Sequence, residues 1–129
     1  MQMITPEFIR TFIKSNSFSF LPTQPKLCVP IIFRMCQKMK NDIRFDEIKV
    51  CDNLIIEGHH RYLSSLIMRF EIGKVSSLYT SATKATTWDL MELVEEDWDT
   101  EAKIAYLNEL DAKYNDLDLE FITRITSNR

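Results

Sequence analysis

Residues 46–70 constrain the fold more than any other stretch, because two hydrogen-bonding patterns meet there at one glycine. Ile48 and Val50 alternate with Glu47 and Lys49, Asp52-Asn53 is turn-prone, and Leu54-Ile55-Ile56 is apolar and rich in β-branching, so a β-hairpin is expected with strands over 46–51 and 54–57. From His59 the apolar positions Leu63, Leu66, Ile67 and Phe70 recur at helical spacing. Strand therefore passes into helix at Gly58, and Gly73 is the expected stop of that helix.

The same junction carries polar chemistry in the run Glu57-Gly58-His59-His60-Arg61. The first N–H groups of a helix lack internal partners, and the helix dipole places partial positive charge on them. Positive side chains are unfavourable at that end unless an anion joins them, so the cluster points to an anion site, the alternative being a solvated cap. Gly58 would let an anion approach the backbone. Arg61 offers a planar fork for two phosphate oxygens, and a histidine can accept, donate or shuttle a proton. The candidate catalytic residues are Glu57, His59 and His60; the candidate phosphate contacts are Gly58, His60, Arg61, Lys26 and Lys84. Glu57 is read either as a base or water-mediated magnesium ligand, or as an outward-facing strand residue.

The rest of the chain is read around that centre. Thr5-Pro6 should open a helix ending near Ser15, followed by a Ser- and Pro-rich loop over 15–30. A second helix is expected from Pro30 to about Asn41, with Ile31, Ile32, Met35 and Met39 buried and Arg34, Lys38 and Lys40 facing water. Val75–Tyr79 can return as a strand. Thr87 or Asp89 can cap a short segment through Val94, and Asp99-Thr100 a helix with Ile104, Leu107, Leu110 and Tyr114 on its apolar face. Asp116 or Asp118 then starts a last helix with Leu119, Phe121, Ile122 and Ile125.

The 129 residues, 45% apolar, suffice for one domain with a core. A net charge of −3 argues against a protein that grips duplex DNA mainly by electrostatics. Three cysteines without metal spacing (Cys28, Cys36, Cys51) argue against a disulfide framework or a structural zinc. With no signal-peptide pattern and no membrane-length apolar run, the chain reads as soluble and cytoplasmic; an exported effector would need a route without a signal peptide.

Residues of about 30–79, with Glu57-Gly58-His59-His60-Arg61-Tyr62 at their centre, resemble the core of the ParB/sulfiredoxin-like superfamily. A looser similarity links Glu96-Asp97-Trp98-Asp99-Thr100, Lys103, Leu107-Asn108-Glu109 and Asp111–Asn115 to ParB-like domains of bacterial polymorphic toxins. The resemblance implies an α+β domain, a small mixed sheet flanked by helices, with a helical extension over about 87–126. It also implies phosphate handling at Gly58–Arg61, with His60 and Arg61 at phosphate-contacting positions and Mg2+ accompanying ATP or another nucleotide. His59 stands where sulfiredoxins carry cysteine, so redox repair is not implied. Nor does a counterpart of the partition proteins' downstream asparagine and arginine motif follow Tyr79. Three functions follow as expectations: an enzyme hydrolysing a nucleotide or transferring its phosphoryl group, an antibacterial toxin in one setting; a nuclease acting on DNA or RNA; and a non-catalytic immunity or adaptor module binding a partner protein.

Overall fold

The computed structural model describes residues 3–127. Helix α1 (Pro6–Ser15) starts where its cap residues place it, with the Thr5 hydroxyl accepting the Phe8 N–H at 3.0 Å and Pro6 in the first turn. Such a cap contributes about 1 kcal/mol. The loop that follows is extended, as its prolines require, but it ends in a short strand, β1 (Lys26–Cys28), which runs directly into α2 (Val29–Lys40). Strand β1 pairs in parallel with β5 (Glu92–Val94), a two-stranded sheet that local pattern did not announce.

The hairpin forms as its sequence dictates: β2 (Ile48–Cys51) and β3 (Leu54–Glu57) pair antiparallel across Asp52-Asn53, with Asp52 at φ 51°. A register irregularity between Lys49 and Val50 sets Lys49 opposite Glu57 at the end of the hairpin nearest Gly58. Helix α3 (His59–Met68) follows. It stops well before Gly73, at Arg69, which takes a left-handed cap with φ 52° and donates its N–H to Leu66. The expected Gly73 stop is therefore corrected. Gly73 is instead at the start of the next strand, its carbonyl accepting the Ile48 N–H at 2.9 Å. That strand, β4 (Lys74–Ser76), lies parallel to β2, giving a mixed sheet of order β3-β2-β4. It ends before Leu78 and Tyr79, both exposed.

The expected helical extension also needs correction at its start, because Trp88–Leu90 is a single 3-10 turn leading into β5. Helices α4 (Glu101–Asn115) and α5 (Leu119–Ile125) do form, capped by Thr100 and Asp118. The main core is one apolar cluster to which α1 gives Ile9, α2 gives Ile32 and Met39, the hairpin gives Ile48 and Ile55, and α3 gives Leu63. Each fully buried side chain of this size contributes about 2 kcal/mol. A second, small cluster of Ile43, Ala112 and Ile122 joins α4 and α5 to the turn after α2.

Together the described residues form an α+β protein with five α-helices and two small sheets. No helix among them is long and apolar enough to cross a membrane. All three cysteines are free thiols; Cys36 is buried, which pushes its thiol pKa up to about 12.

Candidate functional site

A cavity of about 770 Å³ opens at the N-terminal end of α3. That lies within the range of roughly 300–1,000 Å³ usual for small-molecule sites. Glu57, Gly58, His59, His60 and Arg61 all line it, so the hairpin-to-helix junction brings that part of the expected site together. Lys26 and Lys84 do not join them. Lys26 is on β1 with its amine 3.8 Å from Glu92, and Lys84 is exposed in the loop after β4.

Gly58 is required at the junction for two reasons. As N-cap of α3 it takes φ 98°, a region that side-chain-bearing residues rarely adopt. A Cβ there would also meet Ile48 Cγ2 at 2.7 Å and the Arg61 guanidinium at 3.0 Å. The Arg61 side chain is thus folded back over the glycine. No side chain caps the first turn of α3, and its first internal bond runs from the Tyr62 N–H to the Gly58 carbonyl at 2.8 Å. The N–H groups of residues 59–61 consequently have no partner within the helix.

Each of the two histidines has a backbone partner at Nε2. Nε2 of His59 accepts the Thr23 N–H, and Nε2 of His60 accepts the Cys28 N–H, both at 2.9 Å. A ring nitrogen that accepts is unprotonated, so each neutral imidazole carries its hydrogen on Nδ1. Burial pushes both pKa values down to about 4; for His60 the neighbouring His59 adds to the effect and Asp99 opposes it. Both rings are neutral near pH 7, and together they tie the loop before α2 to the start of α3. The His60 ring also meets Trp98 edge-on, with centroids 5.3 Å apart.

Two of the cavity's other charges, on Arg34 and Lys38, come from residues that sequence pattern had turned toward water. Lys38 is buried, 6% exposed, with its amine 2.6 Å from Asp111 of α4. Arg34 grips Asp97 through two bonds of 2.7 and 2.9 Å and lies 3.4 Å from Asp99. Burial opposes the Arg34 charge, but those carboxylates outweigh it and hold its pKa above the usual value. Lys103 in turn lies 3.5 Å from Asp99. Arg61 is held more loosely, 4.0 Å from Glu57 and 3.4 Å from the Asp46 carbonyl, and the Arg44 side chain forms no ion pair among the described residues. Five basic side chains and four carboxylates line the cavity, and Asp97, paired with Arg34, brings the local charges into balance.

The remaining wall is apolar. Ile31 and Met35 stand on the cavity face of α2, and Leu107, Leu110 and Tyr114 stand on that of α4. The signal for both faces was present, as i, i+4 spacing on α2 and i, i+3, i+7 spacing on α4, but spacing does not say whether a stripe meets a core or a cavity. Comparison with known proteins finds no matching family model, no matching curated protein and no matching solved structure.

Proposed function

We propose that this chain is a ParB/sulfiredoxin-like domain that binds a nucleotide by its phosphates and hydrolyses it or transfers a phosphoryl group. The observation that carries the reading is the open first turn of α3, with Gly58 as its cap and Arg61 folded over it, facing a cavity that Arg44 also lines. The order of helix α2, hairpin, glycine-led helix α3 and strand β4 agrees with the superfamily's core.

In this reading the amides of residues 59–61 and the Arg61 guanidinium hold the phosphate oxygens, an arrangement that favours anions by dipole and by charge. His59 and His60 are positioning residues, because their Nε2 lone pairs are already committed to backbone N–H groups. Glu57 is left as the base. Its carboxylate is exposed at the cavity edge and can take the proton from a water or acceptor hydroxyl as that oxygen bonds to phosphorus and the bond to the leaving phosphate oxygen breaks.

Among the described residues no group of three or more metal-ligating side chains is assembled. Mg2+ would enter with the nucleotide, held largely by phosphate and water oxygens, a common mode for this ion. Its chemistry there is to neutralise phosphate charge. Most of the cavity's cations are engaged by protein carboxylates, which favours a small ligand over the long phosphate track a nuclease would grip. The likeness to polymorphic-toxin domains makes an antibacterial effector with a cognate immunity partner the setting proposed for this chemistry.

Calorimetric titration with ATP, ADP and CTP in the presence of magnesium tests the reading, with Arg61→Ala as the variant. His60 is avoided because its loss would release Cys28. The expected result is saturable binding that falls tenfold or more in the variant, about 1.4 kcal/mol or more, while circular dichroism stays unchanged. Equal affinity in parent and variant would overturn it.

A further inference from the structure

Helix α4 buries the wrong residues for an ordinary amphipathic helix. Its buried positions are Asn108 and Ala112, whereas Leu107, Leu110 and Tyr114 are 36%, 43% and 58% exposed. A helix on a protein surface normally turns its large apolar side chains to the core and its polar ones to water. Here the apolar stripe faces the cavity, and across the cavity stand Ile31 and Met35 of α2, themselves only half-buried. The two helices are bridged by the Lys38–Asp111 ion pair, and Arg34 of α2 reaches Asp99 just before α4, so the apolar side chains are left lining a slot.

The slot is continuous with the anion end, since the same cavity includes Gly58 and Arg61. We infer that the α4 face made by Leu107, Leu110 and Tyr114 is a base-binding wall, and that the ligand class is nucleoside phosphates rather than inorganic or sugar phosphates. The inference rests on the phosphate-binding reading and deepens it. A phosphate alone would leave apolar surface on both helices wet. A planar heterocycle entering between them covers both, and Tyr114 offers a ring face for stacking, an interaction that tolerates any base.

The test compares three probes by calorimetry in the presence of magnesium: ATP, inorganic tripolyphosphate and n-hexyl phosphate. Each is titrated into the parent and into a Leu107→Gln, Tyr114→Gln double variant, whose fold is checked by circular dichroism and thermal melting. Both substitutions fall at exposed positions and glutamine is a good helix former, so α4 should keep its packing through Asn108, Ala112 and α5. The expected result is that the parent prefers ATP to the other two probes and that ATP binding has the more negative heat-capacity change. In the double variant ATP affinity drops about tenfold or more, as loss of base stacking predicts, while tripolyphosphate affinity stays within about twofold. Equal parent affinity for ATP and tripolyphosphate would overturn the wall and leave the phosphate site standing. Tighter binding of hexyl phosphate than of ATP would overturn it in favour of an alkyl chain. Equal loss of ATP and tripolyphosphate affinity in a folded variant would also overturn it, and binding of no probe would remove the wall and the phosphate site together.

Discussion

His59 and His60 show how a residue's chemistry is set by what its lone pair already does. Each ring accepts a backbone N–H through Nε2, and a protonated imidazole cannot accept. Burial on folding lowers both pKa values, from about 6.5 in the unfolded chain to about 4. Between those values the unfolded chain binds more protons than the folded one, so stability falls as pH falls through that window and is fully present above it. The slope is at most about 1.4 kcal/mol per pH unit for each histidine. Urea unfolding at pH 7.5, 6 and 5 should show the midpoint dropping with acid, and His60→Gln, which keeps an acceptor but does not titrate, should flatten the dependence by one histidine's share. An identical slope in parent and variant would sink this account. At this scale Gly58 and Arg61 were legible because glycine, dipole and guanidinium each act locally. The histidine partners were not, because Thr23 and Cys28 lie 36 and 32 residues away and no local rule connects them.

Among the elements, the caps and the hairpin turn could be read directly: Thr5, Thr100, Asp118 and Asp52-Asn53 act within three or four residues of themselves. Helix faces were harder. The four-residue spacing of Arg34 and Lys38 suggested a wet face of α2, yet their partners arrive 65 and 73 residues later, on and just before α4. Long-range charge pairing overrides the local pattern there. The stripe on α4 was correctly seen as apolar, but periodicity reports a face and not what lies opposite it. A stability consequence belongs to the same pair of helices. Asp111→Ala leaves the Lys38 ammonium buried without its carboxylate, which should cost about 2–3 kcal/mol, less than for a wholly buried pair because Asp111 is partly exposed. Replacing both charges, as Lys38→Met with Asp111→Leu, should recover most of that loss in a thermal melt. A double variant no more stable than Asp111→Ala alone would show that the pair is not the joint between α2 and α4.

Over the whole molecule, cohesion is uneven. One large apolar cluster unites α1, α2, α3 and the hairpin, whereas α4 and α5 rest on three buried residues, the Lys38–Asp111 pair and the bonds between Asn115 and Arg44. Regions with few buried apolar contacts open more readily. Hydrogen exchange should therefore be at least about tenfold faster across α4 than across α3, and added ATP should slow exchange at 107–114 more than in α1. Equal protection of α3 and α4 without ligand would contradict this picture. The cavity lies along the boundary between the two clusters, where one helix can adjust while the other stays fixed.

The two tryptophans differ in their surroundings. Trp88 is buried in the main cluster, its indole N–H donating to the Phe20 carbonyl at 2.8 Å; Trp98 is partly exposed and edge-on to His60. The chain thus contains two optical reporters at different depths without any label. Emission from Trp88 follows the integrity of the core, while that from Trp98 follows its contact with His60, a residue that lines the cavity, and single Trp→Phe variants let occupancy and unfolding be watched as separate signals in one cuvette.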